Sequence, residues 1–273
     1  MLARVIKKIF LAAGISMIII LAVAKSTTIN DWQFYFLKEA DRQTVKTGEK
    51  EKIAEQENPT ISKLAITDDA IIAVGENKQA TETVLAVPFT PQAPFGEWQD
   101  PRQQDGCEEA SMLMAISWAR GEKLSREQAK QEILAIAEFE KATYGSFIDT
   151  DVDDTVQRIA KDYFKYEQAR AVRNINIADI KNELVKGNVV LVPADGRKLG
   201  NPNYTPPGPA RHMLVIRGYD QTKKEFITND SGTRKGEGYR YDENILFKAI
   251  VNYPTGDHEP LKQEEKAMIV VWR

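Results

Sequence analysis

The chain of 273 residues has a single cysteine, Cys107, so no disulfide can form within it and the fold rests on packing. It has only two histidines, His212 and His258, and these with one distant thiol make no zinc pattern. Neither charge dominates: 37 Lys and Arg stand against 40 Asp and Glu, a net charge of −3. That balance excludes the basic footprint of a nucleic-acid binder. There is no glycine-rich phosphate loop and no internal repeat, so nothing points to a nucleotide, metal or other cofactor. The acidic run Asp149, Asp151, Asp153 and Asp154 opens like a calcium loop. It has Asp154 where that loop turns on glycine, and Ala160 where its twelfth-position glutamate would stand. These acids read instead as the cap and first turn of a helix.

One long uncharged run exists, Ile9 to Ala24, preceded by Arg4, Lys7 and Lys8 and followed by Lys25. The basic flank predicts a cytoplasmic start with the remainder sent outward. The run is short for a bilayer span, and Ala22-Val23-Ala24 also fits a small-x-small cleavage site, so residues 1–24 are expected to be a signal peptide or a membrane anchor. Residues 25–83 are mostly Lys, Glu, Gln and Thr without periodicity, which suits a linker or stalk. Residues 84–273 form the folded domain, placed outside the cytoplasm.

That domain opens with an apolar segment, VLAVPF, predicted as a short strand, and a loop carrying Pro91, Pro94, Gly96 and Pro101. Apolar side chains at helical spacing then run from Cys107 to a stop at Gly121. Ser125 with Gln128 makes a capping box for a second helix to about residue 138. Third and fourth helices are predicted over Asp151–Phe164 and Asn176–Lys186. Strand-like runs follow: VVLVPA, MLVIRGYD, EFITND, GYRY and AMIVVW. Helices first and antiparallel strands second argue an α+β domain, with the N-terminal helices packed on the sheet.

An unpaired thiol in an exported chain is either a small buried hydrophobe or a reactive group. Cys107 follows the turn Asp105-Gly106 and opens a helix, where free N–H groups and the helix dipole favour thiolate. Glu108 and Glu109 act in the opposite direction. His212 starts an apolar strand after a loop rich in Pro and Gly, a position from which an imidazole can serve as base. His258, in PTGDHEP, reads as a solvated loop residue. A base needs a partner that fixes its tautomer, and the strand EFITND ends on Asn229 and Asp230. Only one of the two can face the imidazole, and strand alternation leaves both open.

In combination, VPFTPQAP, Trp98, DGCEEASMLMA, RHMLVIRGYD and FITNDSGT resemble the bacteriocin-processing (double-glycine) peptidase superfamily, family thirty-nine of the cysteine peptidases. The likeness is to its stand-alone exported branch and covers roughly residues 84–253. It implies a papain-like fold, an α+β domain in which Cys107 attacks a carbonyl and His212 takes the thiol proton. Asp230 would orient His212, and Gln92 would hold the oxyanion, with Gln103 and Gln104 as rivals by spacing. It also implies a peptide or protein substrate, such as a cell-wall peptide, cleaved through a thioester. The same residues would serve acyl transfer to an amine, and the same fold could be a silent binding domain. Gly196 to Arg211 would form one rim of a cleft, with Tyr204 and Trp98 as walls.

Overall fold

The computed structural model describes residues 82–260 and 264–273. The run Ile9–Ala24, and the linker up to residue 81, lie outside the described residues. Among the described residues no helix is long and apolar enough to cross a membrane.

Seven strands form one sheet in which every pairing is antiparallel. They are β1 (Glu82–Val84), β2 (Ala169–Arg173), β3 (Val189–Ala194), β4 (His212–Asp220), β5 (Glu225–Asn229), β6 (Glu237–Asp242) and β7 (Ala267–Val271). The order is β2-β7-β3-β4-β5-β6, with β1 added on β4. Helices are α1 (Pro101–Gln104), α2 (Cys107–Arg120), α3 (Arg126–Tyr144), α4 (Val152–Thr155), α5 (Ile177–Val185), α6 (Gly196–Leu199) and α7 (Glu243–Ala249). After α4 the coil widens into a π-helix over Val156–Tyr163.

The sheet is covered on both faces. Val189, Leu191, Met213, Val215 and Ile269 pack with α2 and α3, whereas Val190, Val192, Leu214, Ile216 and Val270 pack with α5 and α7. Adjacent residues on one strand point to opposite faces, so β3 is buried at all six positions and reads as an unbroken apolar run. Burying a side chain of this size contributes about 1.5–3 kcal/mol, and the two layers together hold the central strands in place.

Local chemistry explains the remaining boundaries. Helix α3 continues past the predicted residue 138 to Tyr144 and stops on Gly145 at φ 89°, a left-handed conformation that glycine adopts without strain. The capping box of Ser125 with Gln128 is present, as is the Asn176 cap of α5. Asp151 accepts from the Asp154 N–H at 2.8 Å and so caps α4, the role its acidic run suggests. Of VLAVPF, only Val84 belongs to β1. Leu85 still donates to the Arg217 carbonyl at 2.8 Å, but Pro88 cannot continue a ladder. Strand β2, ARAVR, carries arginines where strand signals call for apolar residues. It is an edge strand paired only with β7, and its arginines reach solvent.

Candidate active site

The end of β3, the start of β4 and the end of β5 meet at one edge of the sheet, where Ala194 pairs with His212. Helix α2 packs on this sheet, and its Ser111 Oγ donates to the Met213 carbonyl at 3.0 Å. Cys107 lies one turn before Ser111 on the same helix face. That hydrogen bond therefore ties the start of α2 to the start of β4. The sharp entry into α2 needs glycine at 106: a Cβ there would lie 2.5 Å from the Arg102 carbonyl oxygen and 3.2 Å from Ile133 Cγ2.

His212 is buried, and its Nε2 lies 2.8 Å from Asp230 Oδ1. An ionised carboxylate only accepts, so Nε2 carries the hydrogen and Nδ1 is left as the basic nitrogen. Asp230 is fully buried and receives five donors. Its Oδ1 also takes the Gly232 N–H at 3.0 Å, and Oδ2 takes Tyr204 and Tyr241 hydroxyls at 2.6 Å each and Asn201 Nδ2 at 3.2 Å. Burial alone would raise this carboxyl. Attraction to His212 and the hydrogen bonds from His212, Tyr204 and Tyr241 outweigh burial and hold it at about 2. Asn229 points elsewhere: it donates to the Val87 and Pro88 carbonyls at 3.1 and 3.2 Å and accepts from Gly238. Of the two strand-end candidates, Asp230 meets the imidazole and Asn229 anchors the segment entering the domain.

Cys107 is buried, and its hydrogen-bond partner is Glu108, with Sγ 2.9 Å from Oε2. Among the described residues no hydrogen bond joins Cys107 to His212. Burial pushes the thiol well above its ordinary range, and the charges of Glu108 and Glu109 push it further the same way. Glu108 is itself buried and raised, chiefly by burial and by Asp149.

Gln92 sits beside this entry, buried, with its backbone N–H on the Ser231 carbonyl at 2.9 Å. Both hydrogens of its amide are committed, to the Gln103 carbonyl at 3.0 Å and the Gln104 carbonyl at 2.8 Å. In this conformation Gln92 braces the turn before Cys107 and has no donor left for an oxyanion. Gln103 is buried and faces Glu97, and Gln104 is exposed.

Three other expectations meet the structure differently. Tyr204 is no open cleft wall: its hydroxyl is spent on Asp230, and its ring meets the imidazole edge-on at 5.7 Å. Trp98 is half-buried. His258 is more than a solvated loop residue, because its Nδ1 lies 2.9 Å from Asp149 Oδ2 and its Nε2 4.0 Å from Asp105 Oδ1. Arg211 joins the same carboxylate at 3.2 Å. The rim loop encloses a cavity of about 150 Å³ lined by Gly196, Asn201, Tyr204, Pro206 and Gly208. A larger one of about 460 Å³ lies at the opposite end of β4, against Tyr219 and Lys181.

Sequence reasoning missed Tyr241, Asn201, Tyr253 and the role of Glu108. Tyr241 alternates with the charged Arg240 and Asp242 on β6 like any strand aromatic, and Asn201 looks like a turn residue; only the tertiary fold aims them at Asp230. Among the described residues no group of three or more His, Cys, Asp and Glu could hold a metal ion.

No curated protein matches the sequence significantly. Among solved structures, the chain is similar to that of a protein from Bacillus anthracis assigned to the C39-like peptidases. Identity is 16%, the TM-score is 0.45, and the match covers 70% of this chain and 98% of that one. The sequence matches the Peptidase_C39 like family over residues 84–254, more than half of the chain and the whole of the site described above. The chain belongs to the Peptidase_C39 like family, a cysteine peptidase family.

Proposed function

We propose that the chain is an exported cysteine peptidase or amidase, in which Cys107 forms a thioester with a peptide carbonyl and water resolves it. The observation that carries this reading is the buried His212–Asp230 pair, supported by three further side chains, at the end of the sheet to which α2 presents Cys107. A structural histidine does not need a carboxylate with five donors. A histidine that must keep its hydrogen on Nε2 and offer Nδ1 to a reacting group does. Catalytic hydrogen bonds are often open without substrate and close in the complex, which fits a Cys107 engaged elsewhere at rest.

In the reaction the thiol proton leaves sulfur as it attacks and reaches His212 Nδ1, which then delivers that proton to the leaving amine. The developing oxyanion lies at the start of α2, where the first N–H groups of the helix have no partner within it. Gln92 acts by holding the turn that aims those groups, and reaches the oxyanion itself only by leaving its carbonyl partners. Export rests on the basic and apolar pattern of residues 1–24, which either leaves the chain anchored in a membrane or is removed after Ala24.

The test is digestion of a peptide library by the full-length chain, read by mass spectrometry. Hydrolysed fragments that disappear with Cys107→Ala and with His212→Ala support the reading. Intact peptides, or cleavage that survives both substitutions, overturn it. Products joined to an added amine show transfer instead of hydrolysis.

Gly232 offers a sharper probe of the same geometry. A Cβ on it would lie 2.9 Å from His212 Cε1 and 3.1 Å from Tyr204 Cε1. Gly232→Ala is expected to displace the imidazole and slow hydrolysis by about 10- to 100-fold, because small misplacements of a catalytic group cost rates of this order. Its melting temperature should fall only slightly, and a rate like that of the unsubstituted chain would show that the ring is not held where the reaction needs it.

A further inference from the structure

We propose that Glu108 is a working part of this site: its carboxylate holds Cys107 as a neutral thiol at rest, and at working pH the sulfur ionises as Glu108 takes the proton. The inference rests on the reading of Cys107 as the nucleophile. Its basis is the arrangement of donors around one buried carboxyl group. Oε1 of Glu108 accepts the Tyr253 hydroxyl at 2.7 Å and the Thr150 N–H at 3.4 Å. Both donate as placed, so a proton that leaves these two bonds intact sits on Oε2. That oxygen is 2.9 Å from Sγ of Cys107. One proton therefore lies between sulfur and Oε2, and the fold determines which atom can hold it.

The surroundings dictate the coupling. Glu109 follows on the same helix, fully buried, with neither carboxylate oxygen hydrogen-bonded among the described residues. Glu140 faces it from α3. Asp149 acts on Glu108 from the loop before α4, itself bound by His258 and Arg211, and Asp105 lies before the helix. Tyr253 closes the pocket from the segment after α7, buried and strongly disfavoured as a phenolate. No cation touches Sγ or Glu108 among the described residues. Ionising the sulfur while Glu108 stays charged would set two buried negative charges at hydrogen-bond distance, the costliest arrangement in a low-dielectric site. If Glu108 takes the proton, the S–H bond breaks, an O–H bond forms on Oε2, and the bonding pair stays on sulfur. The pair then carries one negative charge before and after.

The thiolate ultraviolet band of the full-length chain, titrated with pH and taken as the difference from Cys107→Ser, measures this directly because no other cysteine contributes. The unsubstituted chain is expected to titrate above the ~8.5 of a free thiol. Glu108→Gln is expected to lower that midpoint by about one pH unit or more. Glu109→Gln replaces the neighbouring carboxyl, which does not touch the sulfur, and should shift it by less than half as much. Tyr253→Phe takes a donor from Glu108, makes it easier to protonate, and should move the midpoint the same way; it decides the matter if Glu108→Gln does not fold. An unsubstituted midpoint at or below that of a free thiol overturns the proposal. So does an unmoved midpoint in Glu108→Gln or Tyr253→Phe, or equal shifts from Glu108→Gln and Glu109→Gln. The band reports whether or not peptides are cleaved. Hydrolysis with an unmoved midpoint refutes only the role of Glu108, and the expected shifts without hydrolysis refute only the peptidase.

Discussion

Asp230→Asn is expected to lower the hydrolytic turnover by about 10⁴-fold, the scale found when a histidine base is left in the wrong tautomer. The donors around Asp230 explain why so small a change should have so large an effect. The native carboxylate accepts on both oxygens, with His212 and Gly232 on Oδ1 and Tyr204, Tyr241 and Asn201 on Oδ2. An asparagine keeps one acceptor oxygen. If that oxygen serves the three donors on the Oδ2 side, the NH2 group faces His212 Nε2 and the Gly232 N–H. The imidazole must then accept at Nε2 and carry its hydrogen on Nδ1, the nitrogen that has to exchange a proton with substrate. If the amide turns over, two hydroxyls and an amide lose their acceptor inside the protein, at about 1–3 kcal/mol for each group left unmatched.

The first arrangement is the less costly, so the fold should survive while the rate collapses. Steady-state kinetics separate the two effects: turnover falls while KM moves little, since Asp230 does not touch substrate. Because Asp230 is held at about 2, it remains ionised through the whole working range, and the acid limb of the rate profile must come from another group. Tyr204→Phe and Tyr241→Phe each leave the carboxylate its other donors and should cost about 10-fold or less. A turnover for Asp230→Asn within tenfold of the unsubstituted chain would mean that His212 is not oriented by this carboxylate.

Much of this arrangement is legible in the sequence, and the limits of that legibility have physical causes. The helix opened by Cys107 announces itself through apolar spacing and the glycine that ends it, and β4 and β5 through short segments rich in apolar and β-branched residues bounded by turns. Cys107, His212 and the pair Asn229-Asp230 stand out because a chain so poor in thiol and imidazole offers few alternatives. The choice between Asn229 and Asp230 needed the resemblance, because adjacent strand residues differ only in the face they take, and no local pattern says which face holds the histidine. Strand β2 was hidden because an edge strand tolerates exposed arginines. Helix α7 was hidden although Asp242 accepts from the Asn244 and Ile245 N–H groups, since seven residues show too little periodicity. The bond from Cys107 to Glu108 was out of reach for another reason. Neighbours in sequence at a helix start point in different directions, and it takes Tyr253, 145 residues away, to fix the carboxyl against the sulfur.

The buried acids lead to the second large effect, a loss of folding stability as pH rises from 5 to 8. Glu140 lies in the interior of α3 and its carboxyl is pushed up to about 8, by burial first and by the charge of Glu108 second. Glu109 is driven well up by burial and by Glu140. A carboxyl whose folded value lies above its unfolded one keeps its proton in the native state after the unfolded chain has released it. Stability is therefore fully present below the unfolded value of about 4.3 and declines as pH climbs toward the folded one, by about 1.4 kcal/mol per unit and per group. For Glu140 alone the three units from 5 to 8 correspond to a loss on the order of 4 kcal/mol, a large part of the 5–15 kcal/mol of an ordinary domain. The carboxylate of Asp230 works in the opposite direction, but its contribution is lost only as pH falls below about 4 toward its folded value of about 2, outside this window. Denaturant unfolding of the full-length chain at pH 5 and pH 8 should show the decline. Glu140→Gln should remove its own share of the slope, leaving that of Glu109, and stabilise the chain at pH 8 by about 1–4 kcal/mol, the range found when buried charges give way to neutral groups of similar size. Stability equal at the two pH values, or a Glu140→Gln chain no more stable than its parent at pH 8, would show that these carboxyls are not the strained acids their burial makes them. The strain also bears on the nucleophile, for the charge on Glu140 acts on both Glu109 and Glu108, and Glu108 accepts the hydrogen bond of the Cys107 thiol.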